Sequence, residues 1–273
     1  MSPAFRRLTL PAAALCLLLP FAAALPAAEP TVLRVVSYNI RVGGMGMDGK
    51  RDLGRTAEVL RALRPDIVLL QEVDQGARRS GGVDVAKVLG DALGLESHFG
   101  PAIPLQGGFY GNALLSRFPA AGPVRLVDLP GGAEHRVALL LPLRVPTAAG
   151  EREVLVGCVH LDFRSDREMA PNGQKLAALL GDDPRPVIFG GDINFWPGTR
   201  TLGALEARLT RLPKTGPKGT YPADNPRGEI DHLFVHPAAA WRVRESRVVP
   251  EAVASDHRPV VAEVELLPAP AAK

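Results

Sequence analysis

Six short clusters along this chain mix carboxylates, amides and imidazoles: Tyr38-Asn39-Ile40, Gln71-Glu72-Val73, His160-Leu161-Asp162, Gly190-Gly191-Asp192-Ile193-Asn194, Ile230-Asp231-His232 and Ser255-Asp256-His257. A single Asp or Asn between two elements is ordinary turn chemistry, because its short side chain bonds the local backbone. Six mixed clusters in one chain ask for more than turns. Carboxylate and amide oxygens suit a hard cation such as Mg²⁺, which takes oxygen ligands and keeps several waters. Imidazoles beside carboxylates suit proton transfer near neutral pH. Other chemistries lack their parts: there is no Gly-rich phosphate loop and no Gly-x-Ser-x-Gly elbow. Two cysteines, Cys16 and Cys158, are too few to build a structural zinc site from thiolates.

Elements must hold these clusters, and most of the clusters lie at the ends of apolar runs. Strands are expected at Val32–Val36, Ile67–Val73, Asn112–Leu115, Val137–Val145, Val154–Val159, Val187–Phe189, Ile230–Val235 and Val260–Leu266, where β-branched and apolar residues concentrate. Helices are expected over Leu53–Leu63, stopped by Pro65, and over Arg167–Leu180. Several neighbouring strands have no helix between them, which argues against a purely parallel sheet. Mixed sheets with helices on their outer faces are expected instead. No linker, charge run or repeat divides residues 31–266. Arg211–Arg227, rich in Gly, Pro and Lys, reads as a long surface loop with a functional role.

The amino terminus reads as an export signal. Arg6 and Arg7 precede an apolar run from Leu8 to Leu25, followed by Pro26-Ala27-Ala28. This sets residues 1–28 apart as a secretory signal, cleaved or kept as an anchor, from a domain at 29–267 and a frayed tail at 268–273. Periplasmic or secreted localisation follows as an expectation. The whole chain carries 32 basic and 29 acidic residues, a net +3. Loss of Arg6 and Arg7 leaves 30 basic against 29 acidic residues, so the processed protein is nearly neutral. It also keeps Cys158 alone, which excludes an intramolecular disulfide and leaves stability to the core. Cys158 sits in the apolar run Val154–Val159 and is expected to be a buried structural thiol.

The motifs Ser37-Tyr38-Asn39-Ile40, Leu69-Leu70-Gln71-Glu72-Val73, Gly111-Asn112-Ala113-Leu114-Leu115-Ser116, Val159-His160-Leu161-Asp162, Gly191-Asp192-Ile193-Asn194, Ile230-Asp231-His232 and Ser255-Asp256-His257 occur in this order from about Val32 to Val264. The ordered set resembles the endonuclease/exonuclease/phosphatase superfamily. The resemblance implies an α+β fold of the deoxyribonuclease I-like type, a four-layer α/β/β/α sandwich of two mixed β-sheets. It also implies a divalent-metal hydrolase of phosphate esters, with Mg²⁺ as cofactor and Mn²⁺ as its substitute.

Roles are implied residue by residue. Glu72 matches the metal ligand, with Asn39 beside it as ligand or orienter and Asp256 as a further metal-side carboxylate. Asp192 matches the water-activating carboxylate, and Asn194 a group that orients water or phosphate. His257 matches a phosphate-binding or protonating histidine held by Asp231, and His160 a strand-end histidine on the scissile phosphate. Asn112 and Arg136 match phosphate-facing positions. His232 and Asp162 receive no role. Arg41 stands where abasic-site endonucleases carry an acidic residue, which speaks against a second metal.

The resemblance determines chemistry more narrowly than substrate, since members act on DNA, RNA, phospholipids and small phosphoesters. A nucleic-acid surface requires clustered Lys and Arg, and the best stretches here are Arg78-Arg79 and Arg211–Lys218. Aromatic residues are 5% of the chain, which is little for stacking on single strands. Phe109-Tyr110 and Phe195-Trp196 adjoin motifs and would suit an apolar substrate if exposed. The leading expectation is an exported metal-dependent phosphodiesterase or phosphatase, active as a monomer with no protein partner. The alternatives are a secreted nuclease, a sphingomyelinase-like lipid phosphodiesterase and a non-catalytic binding module.

Overall fold

A computed structural model describes residues 30–269. The export signal of residues 1–28 lies outside the described residues, and of the tail only Pro268 and Ala269 fall within them. Twelve strands form: β1 (Thr31–Asn39), β2 (Ile67–Gln75), β3 (Glu96–Leu105), β4 (Gly108–Ser116), β5 (Arg125–Leu129), β6 (Arg136–Thr147), β7 (Gly150–His160), β8 (Val187–Asp192), β9 (Thr210–Arg211), β10 (Asp231–His236), β11 (Trp241–Val248) and β12 (Val260–Leu266). They make two six-stranded sheets, ordered β11-β12-β1-β2-β4-β3 and β5-β6-β7-β8-β10-β9. Each sheet is mixed, with one parallel pair at its centre: β1 with β2, and β7 with β8.

Strand alternation sorts the side chains into three cores. Leu33 and Val35 of β1, Ile67 and Leu69 of β2, Val156 and Cys158 of β7, and Leu233 and Val235 of β10 fill the space between the sheets. The opposite face of the first sheet, with Val36, Tyr38, Val68 and Leu70, packs on helices Leu53–Leu63 and Val85–Leu93. The opposite face of the second, with Leu140, Val159, Phe189 and Phe234, packs on helices Asp166–Gly181 and Arg200–Glu206. Helix, sheet, sheet, helix is the expected four-layer sandwich. Among the described residues no helix is long and apolar enough to cross a membrane.

The same alternation delivers the motif residues to one edge. Counting in twos from the inter-sheet residues gives Asn39 at the end of β1, Gln71 in β2, His160 at the end of β7 and Asp192 at the end of β8. Asp231, at the start of antiparallel β10, pairs directly with Asp192. Apolar residues occupy these positions in mid-strand and polar residues take over where the strands reach the edge of the sandwich.

Arg211–Arg227 is the surface loop expected, with residues 213, 215–218, 221, 224, 225 and 227 exposed, but it is anchored at several points. The segment lacks long elements, but Lys214, Thr220 and Ala223 are buried. Thr220 and Tyr221 bond to the Gly228 carbonyl, and the Arg258 N–H donates to Thr220 O at 2.7 Å. These bonds tie the loop to β10 and the Ser255–His257 turn while much of it faces solvent.

Candidate active site

Glu72 reaches the edge through a local distortion of β2. Leu70 pairs with Ala113 and Val73 with Gly111, so β2 carries one extra residue over this stretch. Glu72 has φ +59°, and Val73 resumes the outer face. This β-bulge turns the Glu72 carboxylate toward Asn39 instead of the helix layer. Asn39 Nδ2 donates to Glu72 Oε1 at 3.2 Å and to Asp192 Oδ2 at 3.0 Å, bridging the two sheets. The Val42 N–H donates to Glu72 Oε2 at 2.8 Å.

Asp192 is buried and surrounded by donors. Its Oδ1 accepts the Asn194 N–H at 3.0 Å, and its Oδ2 lies 3.3 Å from His160 Nε2 and 3.6 Å from His257 Nε2. Gly190 and Gly191 make the close strand approach possible. A Cβ on Gly191 would stand 1.9 Å from Val159 O, and one on Gly190 would stand 2.4 Å from His232 O. Burial raises the Asp192 pKa to about 7, helped by Asp231 and Glu72 and opposed by His257 and Asn39.

The two histidines differ in charge. His257 Nδ1 lies 2.9 Å from Asp231 Oδ2. Burial disfavours its protonated form, but Asp231 and Asp192 outweigh burial and raise its pKa to about 10. Asp231 is lowered in return, because the His257 charge and hydrogen bond overcome its desolvation. His160 is lowered well below the ordinary histidine value by burial, then by Arg136 and His257. Arg136 Nη1 lies 3.0 Å from His160 Nδ1 and can only donate, so that nitrogen accepts. The neutral ring therefore carries its proton on Nε2, facing Asp192.

A cleft of about 600 Å³ opens over this group, with Glu72, Arg136, His160, Asp192, Asn194, Asp256 and His257 in its wall. Seven of the ten expected site residues thus share one cavity. Asn39 and Asp231 stand behind it as buried partners of Asp192 and His257. Asn112 is also set back: its Nδ2 donates to Val137 O at 2.8 Å, tying β4 to the start of β6 just after Arg136. Arg136 is 8% exposed, and its buried Nε has no partner among the described residues. A buried unpaired guanidinium N–H is a ready donor for an anion. Asn194 holds a positive φ of 63°, with its Nδ2 on Leu161 O at 2.7 Å. Asp256 lies 3.4 Å from Arg41 Nε, so a cation occupies the position where a second acidic residue would stand.

Two groups of residues could face a metal. Asp192, Asp231 and His257 have ligating atoms within 4.8 Å of one another, a group able to hold a metal ion. His257, however, is a protonated donor that spends Nδ1 on Asp231, and its Nε2 stands 3.6 Å from Asp192. Glu72 and Asp256 offer half-exposed carboxylates in the cleft wall, the oxygen donors a hard cation takes. Asn39 donates through its nitrogen and accepts the Arg41 N–H at 3.0 Å on its Oδ1, which makes it an orienter of Glu72 in this geometry.

Of the residues left without roles, His232 is buried, with Nε2 3.1 Å from Phe195 O and 3.0 Å from Glu229 O. Burial and the nearby Lys214 lower its pKa to about 3, so it is a neutral structural histidine. Asp162 accepts N–H groups from Ala133 and Arg164 and braces the turn before Arg136. Sequence reasoning missed Phe163, Tyr221, Pro222, Arg227 and Gly228, which line the cleft. No motif marks them, although four lie within or beside the Gly/Pro-rich segment whose composition signalled a functional loop.

Comparison with known proteins agrees with this geometry. The model of the endonuclease/exonuclease/phosphatase family matches residues 36–257, and members of that family are phosphoester hydrolases. The uncharacterized protein YbhP of Escherichia coli K12 is 28% identical over 248 residues, covering 85% of this chain and 96% of the relative. Among solved structures, an endonuclease/exonuclease/phosphatase from Beutenbergia cavernae is 27% identical with a TM-score of 0.70, covering 88% of this chain and 73% of its own. Another, from Bacteroides vulgatus, has a TM-score of 0.71 at 18% identity over 87% of this chain and 100% of its own. The family model spans every motif cluster from Asn39 to His257, and the chain belongs to the endonuclease/exonuclease/phosphatase family.

Proposed function

We propose that the protein is an exported, divalent-metal-dependent phosphodiesterase or phosphatase in which Asp192 activates the attacking water. The observation that carries this reading is the buried Asp192 carboxylate at the cleft wall, with Asn39, His160, His257 and the Asn194 N–H directed at it. An ionised carboxylate is an acceptor at both oxygens, so this ring of donors favours the charged form, and a carboxylate with a pKa near neutrality suits a general base.

Glu72 and Asp256 would hold Mg²⁺ or Mn²⁺, which supplies Lewis-acid neutralisation of phosphoryl charge. The chain's own residues do the rest. Asp192 takes the proton of the water, while Asn194 and Asn39 hold its carboxylate in position. His160 presents a neutral Nε2–H, and protonated His257, held by Asp231, donates to a phosphoryl oxygen. Arg136 adds a fixed positive charge from the cleft wall. All of these residues come from one chain, so the proposed mechanism calls on no protein partner. Export rests on the basic and apolar pattern of residues 1–28.

Hydrolysis of a generic phosphodiester, a monoester, plasmid DNA, RNA and sphingomyelin should be screened with Mg²⁺ and Mn²⁺, each with an EDTA control. EDTA-sensitive turnover of at least one class is expected. No turnover of any, or full activity in Asp192→Asn, would falsify the mechanism. Amino-terminal mass analysis of periplasmic protein tests export, with cleavage near Ala28 expected.

A further inference from the structure

Three aromatic side chains in the cleft wall have no part in the chemistry above. Phe163, Trp196 and Tyr221 are 68%, 53% and 42% exposed, yet all three face the cavity that holds Asp192. They come from separate places: Phe163 follows β7, Trp196 follows β8, and Tyr221 belongs to the folded loop before β10. Exposed aromatic rings are costly to leave in water, and these converge on one cavity. The Tyr221 ring centroid lies 4.9 Å from that of His257, tilted by 45°, so this platform begins beside the reacting centre. Arg227, whose N–H donates to Tyr221 O at 2.9 Å, lines the same cavity, exposed and without a side-chain ion pair among the described residues.

Resting on the hydrolase reading, we infer that this rim is a subsite for a flat ring, and that the substrate is a small nucleoside phosphate. Aromatic faces joined by an arginine are the surface on which nucleobases stack. The cavity of about 600 Å³ falls in the range that encloses one small ligand. A polymer needs a basic track leading away from the site, and three of the five basic residues in the stretches named above are paired with carboxylates. Arg79 pairs with Asp74, Arg211 with Glu206 and Glu229, and buried Lys214 with Glu229. A lipid surface would be met by rings projecting outward beside a cationic patch, whereas these rings line the cavity itself.

Trp196 is also the reporter. The second tryptophan, Trp241, is buried in the core between the sheets at the start of edge strand β11, so stacking at the rim reads out as quenching of Trp196. The Asp192→Asn protein should be titrated with adenosine monophosphate, glycerol 2-phosphate, inorganic phosphate and anionic phospholipid vesicles. Quenching by adenosine monophosphate alone is expected, with Kd raised about tenfold in Tyr221→Ala and in Arg227→Ala, equivalent to about 1.4 kcal/mol. In the otherwise native enzyme, Trp196→Phe and Trp196→Ala should raise KM for the nucleotide more than for glycerol 2-phosphate, with Phe milder than Ala. Equal binding of nucleotide and ringless esters, or a response to vesicles alone, overturns the subsite. The binding arm needs no turnover, so it decides the subsite even where the hydrolysis screen fails.

Discussion

Asp192 sits where four demands meet: it is buried, it faces a second aspartate, and two histidines and an amide point at it. Its ionised form is costly to bury and well solvated by donors, which places its pKa near 7. Asp192→Asn keeps the shape and removes the base, and should lower kcat by about 10²–10⁴-fold with little change in KM. The pH profile follows from the same groups. Activity should fall as pH drops through about 7 and Asp192 gains a proton. It should also fall as pH rises through about 10 and His257 loses one. In Asp231→Asn the alkaline limb should move to lower pH, because the main group holding the His257 proton is gone; NMR titration of the ring gives an independent reading. The raised His257 pKa also stabilises the fold, fully below pH 6.5 and progressively less as pH rises through about 10.

At the scale of elements, the site depends on how closely β7 and β8 approach. Gly191→Ala would drive a Cβ against the Val159 carbonyl in a backbone region that alanine avoids. A loss of about 2–4 kcal/mol in urea denaturation is expected, with activity falling because His160 and Asp192 share this register. Interior strands and two helices were legible in the sequence, Leu53–Leu63 and Val260–Leu266 residue for residue. By contrast, β1, β4 and β8 run three or four residues beyond the expected ends, where their motif residues or glycines interrupt the apolar run. The strands it concealed, β3, β5, β9 and β11, are the four sheet edges. Edge strands need no apolar pattern on both faces and tolerate proline and charge. Pro101 and Pro104 sit in β3, and Arg242, Arg244 and Glu245 in β11. Helix Val85–Leu93 was hidden by Gly90, which is there because a Cβ would meet Leu95 O at 2.8 Å.

The whole molecule has three apolar cores and no disulfide among the described residues. Cys158 is buried between the sheets, with its thiol pushed up to about 12 by desolvation and its Sγ 3.2 Å from Gln71 Nε2. Alkylation followed by peptide mapping should find Cys158 unlabelled in native protein and labelled in denaturant. Labelling under native conditions would mean that the two sheets separate readily. The paired basic residues lead to a second expectation at this scale. Binding to plasmid DNA should be weak and only shallowly dependent on salt, and neither Arg79→Ala nor Arg211→Ala should weaken it much further, because each charge is already neutralised nearby.

The sequence by itself determined the chemical inventory, the order of the motifs and the alternation that sends polar residues to one edge of a two-sheet sandwich. Those are local properties: a strand's period and a side chain's functional groups do not depend on distant residues. Tertiary structure alone decided the charge state of each group. His160 is neutral because Arg136 and burial oppose its proton, while His257 is charged because Asp231 and Asp192 hold it. It also decided which residues complete the cleft, since the unmarked Phe163, Tyr221 and Arg227 join Trp196 only after three separate segments are packed together. Electrostatic environment and cavity walls are made of residues far apart in the chain, so neither can be read along it.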